Sequence, residues 1–170
     1  MSNSRIKLLS GGHYDFIDLD QSVYDIEDIA HNLSMICRFT GSVKDFYSVG
    51  QHSVLVSHAV PPEHALAGLM HDASEAFMSD LNSPLKALMK AYKALEKKVE
   101  KQIFTKYNLS FPMDPAIKLA DIKVFLAENR DLRGIYSDME DIAPYGKKIV
   151  PWQPARAKRE FMKRFEELTK

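Results

Sequence analysis

A single cysteine, Cys37, among 170 residues excludes an internal disulfide and every cysteine-rich zinc site. Such sparse cysteine use fits a reducing compartment, so a cytoplasmic protein is expected. A surplus of either charge is missing as well, because 23 Lys and Arg face 23 Asp and Glu. Chains that live on nucleic-acid backbones carry a basic surplus, so stable nucleic-acid binding is not expected. There is no apolar run of about 18 residues to span a membrane. The start, MSNSRIKLLSGGHYD, lacks the apolar centre of a signal peptide. What is present is a globular composition, 45% hydrophobic and 27% charged, which argues against disorder. A length of 170 residues fits one domain with a single core. Any metal site must then be built from His, Asp and Glu.

Hydrophobic spacing predicts an all-α domain over residues 1–170, with its core at about 25–140. A short N-terminal β-hairpin or extended arm precedes it, turning at Gly11-Gly12 with Tyr14, Phe16 and Leu19 in rough alternation. From about Ser22, Ile26, Ile29, Ala30, Leu33 and Cys37 recur at helical steps, and Gly41 ends that helix. A second helix starts near Ser48 and stops at Pro61-Pro62. A third runs from about Pro62 to Met78, with Leu66, Leu69, Met70 and Ala73 on its apolar face. A long fourth covers about Pro84 to Tyr107, with Leu88, Tyr92, Leu95, Val99 and Ile103 as its stripe. A fifth, capped by Asp114 with Pro115 at its first position, reaches about Ser137. A sixth, from about Pro154 to Leu168, packs Ala155, Met162, Phe165 and Leu168.

Polar residues inside these apolar runs carry the chemistry. His71 and Asp72 interrupt the core-like GLMHDASEAFMSD, and Glu75 follows His71 by one helical turn. Neighbouring His and Asp beside a core are costly unless they are paired or bind a metal. His52 sits in the apolar VGQHSVLVSH, and Asp121 in LADIKVFLAE. His52, His71, Asp72 and Asp121, from separate helices, are therefore candidate ligands of one divalent cation. Nitrogen and carboxylate donors suit Co2+, Mn2+, Zn2+ or Mg2+. His31 is a rival for the first position. His13, His58 and His64 have no partner in the pattern and read as structural or exposed. Cys37 lies in an apolar stripe, and nothing marks it as a nucleophile.

The order His…His-Asp…Asp, with HDASEAFMSDLNSPLK following, resembles the HD-domain metal phosphohydrolases, and in particular their 5'-deoxynucleotidase branch. That branch has a Glu, an Asp and a Pro-x-Lys tail after His-Asp, here Glu75, Asp80, Pro84 and Lys86. It also has an Arg fourteen residues before the first ligand His, here Arg38 before His52. FYSVGQHS is closest to a phage subgroup, some members of which are dATP triphosphohydrolases. The resemblance covers about residues 25–132. One departure is the short spacing of eighteen residues between His52 and His71.

The resemblance implies an HD-type helical bundle that hydrolyses deoxynucleotides by attack of hydroxide on the α-phosphate. The leading expectation is a dNTP triphosphohydrolase preferring dATP, in a host cytoplasm if a phage encodes it. A 5'-deoxynucleotidase acting on monophosphates is the alternative, and an inactive binding module a more remote one. Glu75 and Asp80 would divide acid and base work, in either order, or Asp80 would hold a second cation. Arg38 and Lys86 would clamp phosphate, with Lys90, Lys93 and Lys118 adding charge for further phosphates. Tyr14 and Phe16 would stack on a base, and Phe39 or Tyr47 would pack on the sugar. Relatives assemble into dimers or larger rings, so a homo-oligomer is expected.

Overall fold

The chain turns back at Gly11-Gly12, as the sequence predicts, and lays β1 (Arg5–Lys7) antiparallel to β2 (His13–Asp15). Arg5 stands opposite Asp15, and its Nε donates to the Asp15 carboxylate at 2.7 Å. The computed structural model describes residues 4–136 and 141–170. Beyond the hairpin it is helical, with α1 (Ile26–Met35), α2 (Val49–Ala59), α3 (Ala65–Met70), α4 (Glu75–Met78), α5 (Ser83–Leu88), α6 (Lys90–Lys106), α7 (Pro115–Glu128) and α8 (Pro154–Thr169). Among the described residues, no helix is long and apolar enough to cross a membrane.

Local chemistry sets most of the helix starts. Asp25 and Asp28 cap α1 reciprocally, Ser48 caps α2, and Asp114 caps α7 with Pro115 at its first position. Four expected boundaries change. α1 ends at Met35 because Ile36 to Arg38 pair with the chain at 47–49 instead of with the previous turn. The Val49 N–H donates to Ile36 O at 3.0 Å and the Arg38 N–H to Tyr47 O at 2.8 Å. Cys37 is therefore extended, bridged to Ser48, and is not part of a helical stripe. The expected third helix tightens at His71–Ser74, where the Ala73 and Glu75 amides bond three residues back. The expected fourth helix breaks at Met89, which leaves Leu88 exposed rather than in the stripe. The regular part of the fifth helix stops at Glu128, followed by a π-turn over Asn129–Arg133 that ends at left-handed Gly134 (φ 68°). Its predicted end, Ser137, lies outside the described residues. On α8 the buried residues are Ala157 and Phe161, while Ala155 is exposed.

α2 is the central element, packed against α1, α3, α7 and α8. Gly50 allows the closest approach, since a Cβ there would lie 3.2 Å from the Ser34 amide nitrogen of α1. Val54 belongs to a core with Tyr14, Ile29, Leu33, Leu69, Phe77 and Phe161. Val56 belongs to a second core with Tyr47, Ile117, Val124 and Leu132. Each large side chain so buried contributes about 1.5–3 kcal/mol. A histidine at the centre of this helix, between the two cores, is consequently sealed from solvent.

Candidate metal centre

That histidine is His52, fully buried on α2. His71 and Asp72 reach it from the tightened turn after α3, and Asp121 from α7. The His52 and His71 Nε2 atoms stand 3.3 Å apart. Asp72 Oδ2 lies 3.2 Å from His71 Nε2 and 3.6 Å from His52 Nε2. Asp121 Oδ1 lies 3.2 Å from His52 Nε2. His52, His71 and Asp72 each offer a donor atom, all within 4.8 Å of one another, and Asp121 joins through His52. The structure thus brings together the four residues the sequence singles out. His31 stays outside the group.

Both imidazoles are oriented from behind. His52 Nδ1 donates to Glu128 Oε1 at 2.6 Å, and His71 Nδ1 donates to Gly68 O at 2.8 Å. A carbonyl and a carboxylate only accept, so each Nδ1 carries a proton, and in the neutral imidazole each Nε2 turns a lone pair inward. Two lone pairs at 3.3 Å repel unless a proton or a cation lies between them. The donor set therefore fits a divalent metal. Without a cation, a proton takes that place on His52. Burial and Arg38 push His52 down, but Glu128 and Asp121 outweigh them and lift its pKa to about 9. Burial raises the Asp72 carboxyl, yet His71 and His52 hold it well below the usual range. Burial likewise opposes, and His52 and His71 drive, the lowering of Asp121.

Glu128 was not anticipated from the sequence. It is fully buried, and it also accepts from Tyr47 Oη at 2.8 Å and from Arg38 Nη2 at 3.2 Å. Burial alone would raise its carboxyl, and Arg38 and His52 lower it. The available signal was spacing, because Glu128 follows Asp121 by seven residues and so shares its face of α7.

A cleft of about 670 Å³ opens over the cluster, within the range of small-molecule sites. Arg38, Asp72, Glu75, Asp80, Lys86 and Asp121 all line it. Arg38 reaches Asp72 at 3.5 Å, and its buried Nε has no partner among the described residues. Glu75 is buried, and burial together with Asp72 and Asp80 raises its pKa well above the ordinary value. Its Oε2 also has no partner among the described residues. Burial and Asp72 raise Asp80 as well. Lys86 Nζ is 4.0 Å from Glu75 and donates to Glu96 on α6 at 2.6 Å, a pairing the sequence did not suggest.

Several anticipated substrate contacts are placed elsewhere. Phe16 packs on the hydrophobic core, 5.3 Å from Tyr14. Tyr14 stacks on Phe77 at 4.1 Å. Tyr47 is fully buried behind the cluster, so it supports Glu128 rather than a sugar. Tyr14 and Phe16 serve packing because the apolar alternation that marks them is a core pattern. Lys90 and Lys93 are exposed and do not line the cleft. Lys118 lines it but is tied to Asp121 at 2.7 Å. Phe39 does line the cleft, 5.9 Å from Phe125.

The arrangement defines a helical protein with a candidate metal centre. The chain is 40% identical over 171 residues to the uncharacterized protein YfdR of Escherichia coli, spanning 98% of this chain and 96% of YfdR. It is 32% identical over 155 residues to the uncharacterized protein RCAP_rcc00048 of Rhodobacter capsulatus, spanning 83% of this chain and 79% of that relative. The chain therefore belongs to the YfdR family. No protein-family model matches it.

Proposed function

We propose that this protein is a metal-dependent phosphohydrolase of the HD-domain kind, acting on deoxynucleotides. The reading is carried by the two inward-turned Nε2 atoms, 3.3 Å apart and flanked by Asp72 and Asp121 beneath an open cleft. His52, His71, Asp72 and Asp121 would hold a divalent cation, with Co2+, Mn2+, Zn2+ and Mg2+ as candidates. Bound there, the cation would supply an acidified water and polarise a phosphoryl oxygen. Arg38, in the cleft and 3.5 Å from Asp72, binds the phosphoryl group with the donors left over from Glu128. Glu75, kept protonated by burial and by Asp72 and Asp80, donates a proton to the departing 5'-oxygen. Asp80 accepts the proton of the attacking water. Hydrolysis of the P–O5' bond then yields deoxynucleoside plus triphosphate from a dNTP, with dATP the leading substrate. The cleavage of monophosphates is a second reading, favoured by one observation. The Lys86 and Lys118 charges are already matched by Glu96 and Asp121, so they add little for distal phosphates.

The test is turnover of each dNTP, dNMP and ribonucleotide with Co2+, Mn2+ or Mg2+, with nucleoside and phosphate products separated by chromatography. Deoxynucleoside release is expected, and it is expected to disappear in folded His71→Ala and Asp72→Ala variants that no longer bind the metal. Full activity of either variant in metal-replete buffer would overturn the site. No turnover of any substrate with any metal would leave a binding module.

A further inference from the structure

Four cationic side chains line the cleft, and three are matched by carboxylates. Arg38 has Glu128 and Asp72, Lys86 has Glu96, and Lys118 has Asp121. Arg133 differs. Its Nη1 donates at 2.9 Å to the neutral amide of Asn129, and among the described residues no carboxylate lies within ion-pair reach of it. Its guanidinium carbon sits 4.7 Å from the centre of the Phe39 ring. The inner Arg38 guanidinium sits 5.3 Å from the same ring. One aromatic side chain thus carries both guanidiniums, and the inner one belongs to the candidate centre.

The backbone is bent to make this shelf. Phe39 and its neighbour Thr40 both hold left-handed dihedrals, at φ 58° and 54°, where side chains are disfavoured. Such strain persists where surrounding structure over-determines it, and it clusters at ligand sites. Arg133 is likewise set by an uncommon element, the π-turn that follows α7. Buried Asn129, which opens that turn, holds Arg133 from below. An Arg seated on an aromatic ring, with one of five N–H groups committed and no carboxylate partner among the described residues, is built to receive an anion.

We propose that Arg133, seated on Phe39, is the outer anion subsite of the cleft. It receives the phosphates beyond the one attacked, and so makes the cleft select nucleoside polyphosphates over monophosphates. The inference rests on the phosphohydrolase reading above. It assigns the distal charge to a residue that the sequence pattern did not mark, in place of Lys86, Lys90, Lys93 and Lys118.

The experiment compares wild type, Arg133→Met and Arg133→Lys, with KM and kcat for dATP and dAMP in Mn2+. Methionine keeps the packing on Phe39 and removes the charge. Arg133→Met is expected to raise KM for dATP about tenfold or more, with dAMP kinetics unchanged. Arg133→Lys is expected to recover part of that loss. A parallel fall for dATP and dAMP, an unaltered dATP KM, or a wild type that cleaves dAMP alone would overturn the subsite. Thermal stabilisation by inorganic tripolyphosphate separates the subsite from the reaction. If wild type turns over nothing but is stabilised, and Arg133→Met is not, the subsite stands while the hydrolase reading falls. No stabilisation of wild type would overturn the subsite itself.

Discussion

Two buried polar networks lie in this fold, and they differ in how they end. Beneath the hairpin, Tyr14 and Tyr24 donate to one oxygen, Gln102 Oε1, at 3.2 and 2.9 Å, and Gln102 Nε2 passes on to Leu19 O at 3.2 Å. Every group named there is neutral, and each hydrogen bond terminates inside the protein. Burial pushes both phenols above their usual range, which keeps them uncharged. Around Glu128 the network is charged, gathering Tyr47, Arg38 and His52 on one carboxylate. It does not close. Beyond His52 stand the inward Nε2 pair, and beside them Arg38 Nε and Glu75 Oε2, which have no partner among the described residues. A closed network specifies a core, whereas an open charged one is poised for a ligand. The contrast separates structural polarity from functional polarity within a single fold.

The sharpest way to break the comparison is to remove the hub of each network. Glu128→Leu leaves the Arg38 guanidinium buried beside the cleft without its main counter-charge. A stability loss of about 3–5 kcal/mol is expected in urea unfolding with chelator present. The milder Glu128→Gln retains shape and is expected to weaken cation binding about 10–100-fold by titration calorimetry. Gln102→Leu leaves two phenols unpaired, at about 1–3 kcal/mol each, with cation affinity unchanged. If Gln102→Leu weakened cation binding as much as Glu128→Gln, the distinction between the networks would be lost.

The sequence exposed the open end better than its support. His52, His71, Asp72 and Asp121 are legible because a polar residue in an apolar run is conspicuous and because their order resembles a known motif. The hairpin, the helical class, the helix start near Ser48 and the cap at Asp114 are legible from hydrophobic spacing, turn and capping chemistry. The end of α1 was not. The chain at 36–38 pairs with the chain at 47–49, and such a non-local choice leaves no local signature. Glu128 and Arg133 were missed for a related reason. Glu128 looks like the polar end of an apolar helix until its partners from α2 and the Arg38 turn are in place. Arg133 depends on a π-turn, which shifts the side chain from the face that a regular helix would give it. The sequence alone offers Phe16 and Tyr47 as substrate contacts, since an aromatic in a core and one in a cleft look alike in one dimension.

The charged network also makes stability depend on pH in a way the neutral one does not. His52 titrates at about 9 in the folded state against an unfolded value near 6.5. A raised folded pKa gives stability that is fully present below 6.5 and is lost as pH rises through about 9. In chelator, the unfolding free energy is expected to fall across that window, by at most about 1.4 kcal/mol per pH unit, and the thermal midpoint with it. A saturating divalent cation, which takes the place of the proton at Nε2, is expected to flatten the decline. A flat profile in chelator would show that the Glu128 network does not hold a proton on His52.

The smallest expected effect concerns the cleft rim, where Lys86 stands between Glu96 and Glu75. Glu96→Gln exchanges an ion pair of 2.6 Å for a hydrogen bond from the same ammonium to a neutral amide, at a part-buried lysine, so stability changes by only about 1 kcal/mol. The informative readout is the pH profile of kcat. With Glu96 neutral, the Lys86 charge is felt more fully by Glu75, 4.0 Å away, and favours its ionised form. The Glu75 pKa, raised by burial and by Asp72 and Asp80, should then fall. An acid must be protonated to act, so the alkaline limb of the profile is expected to move to lower pH, by less than about one unit. Glu100 lies close by and titrates at about 7, raised by burial and by Glu96, and would move the same way. Glu100→Gln tells the two apart. If that variant keeps the wild-type alkaline limb and Glu96→Gln shifts it, the limb belongs to Glu75. If Glu96→Gln leaves the limb in place, Lys86 does not tune the acid and its bridge to Glu96 is structural, as closed as the one at Gln102.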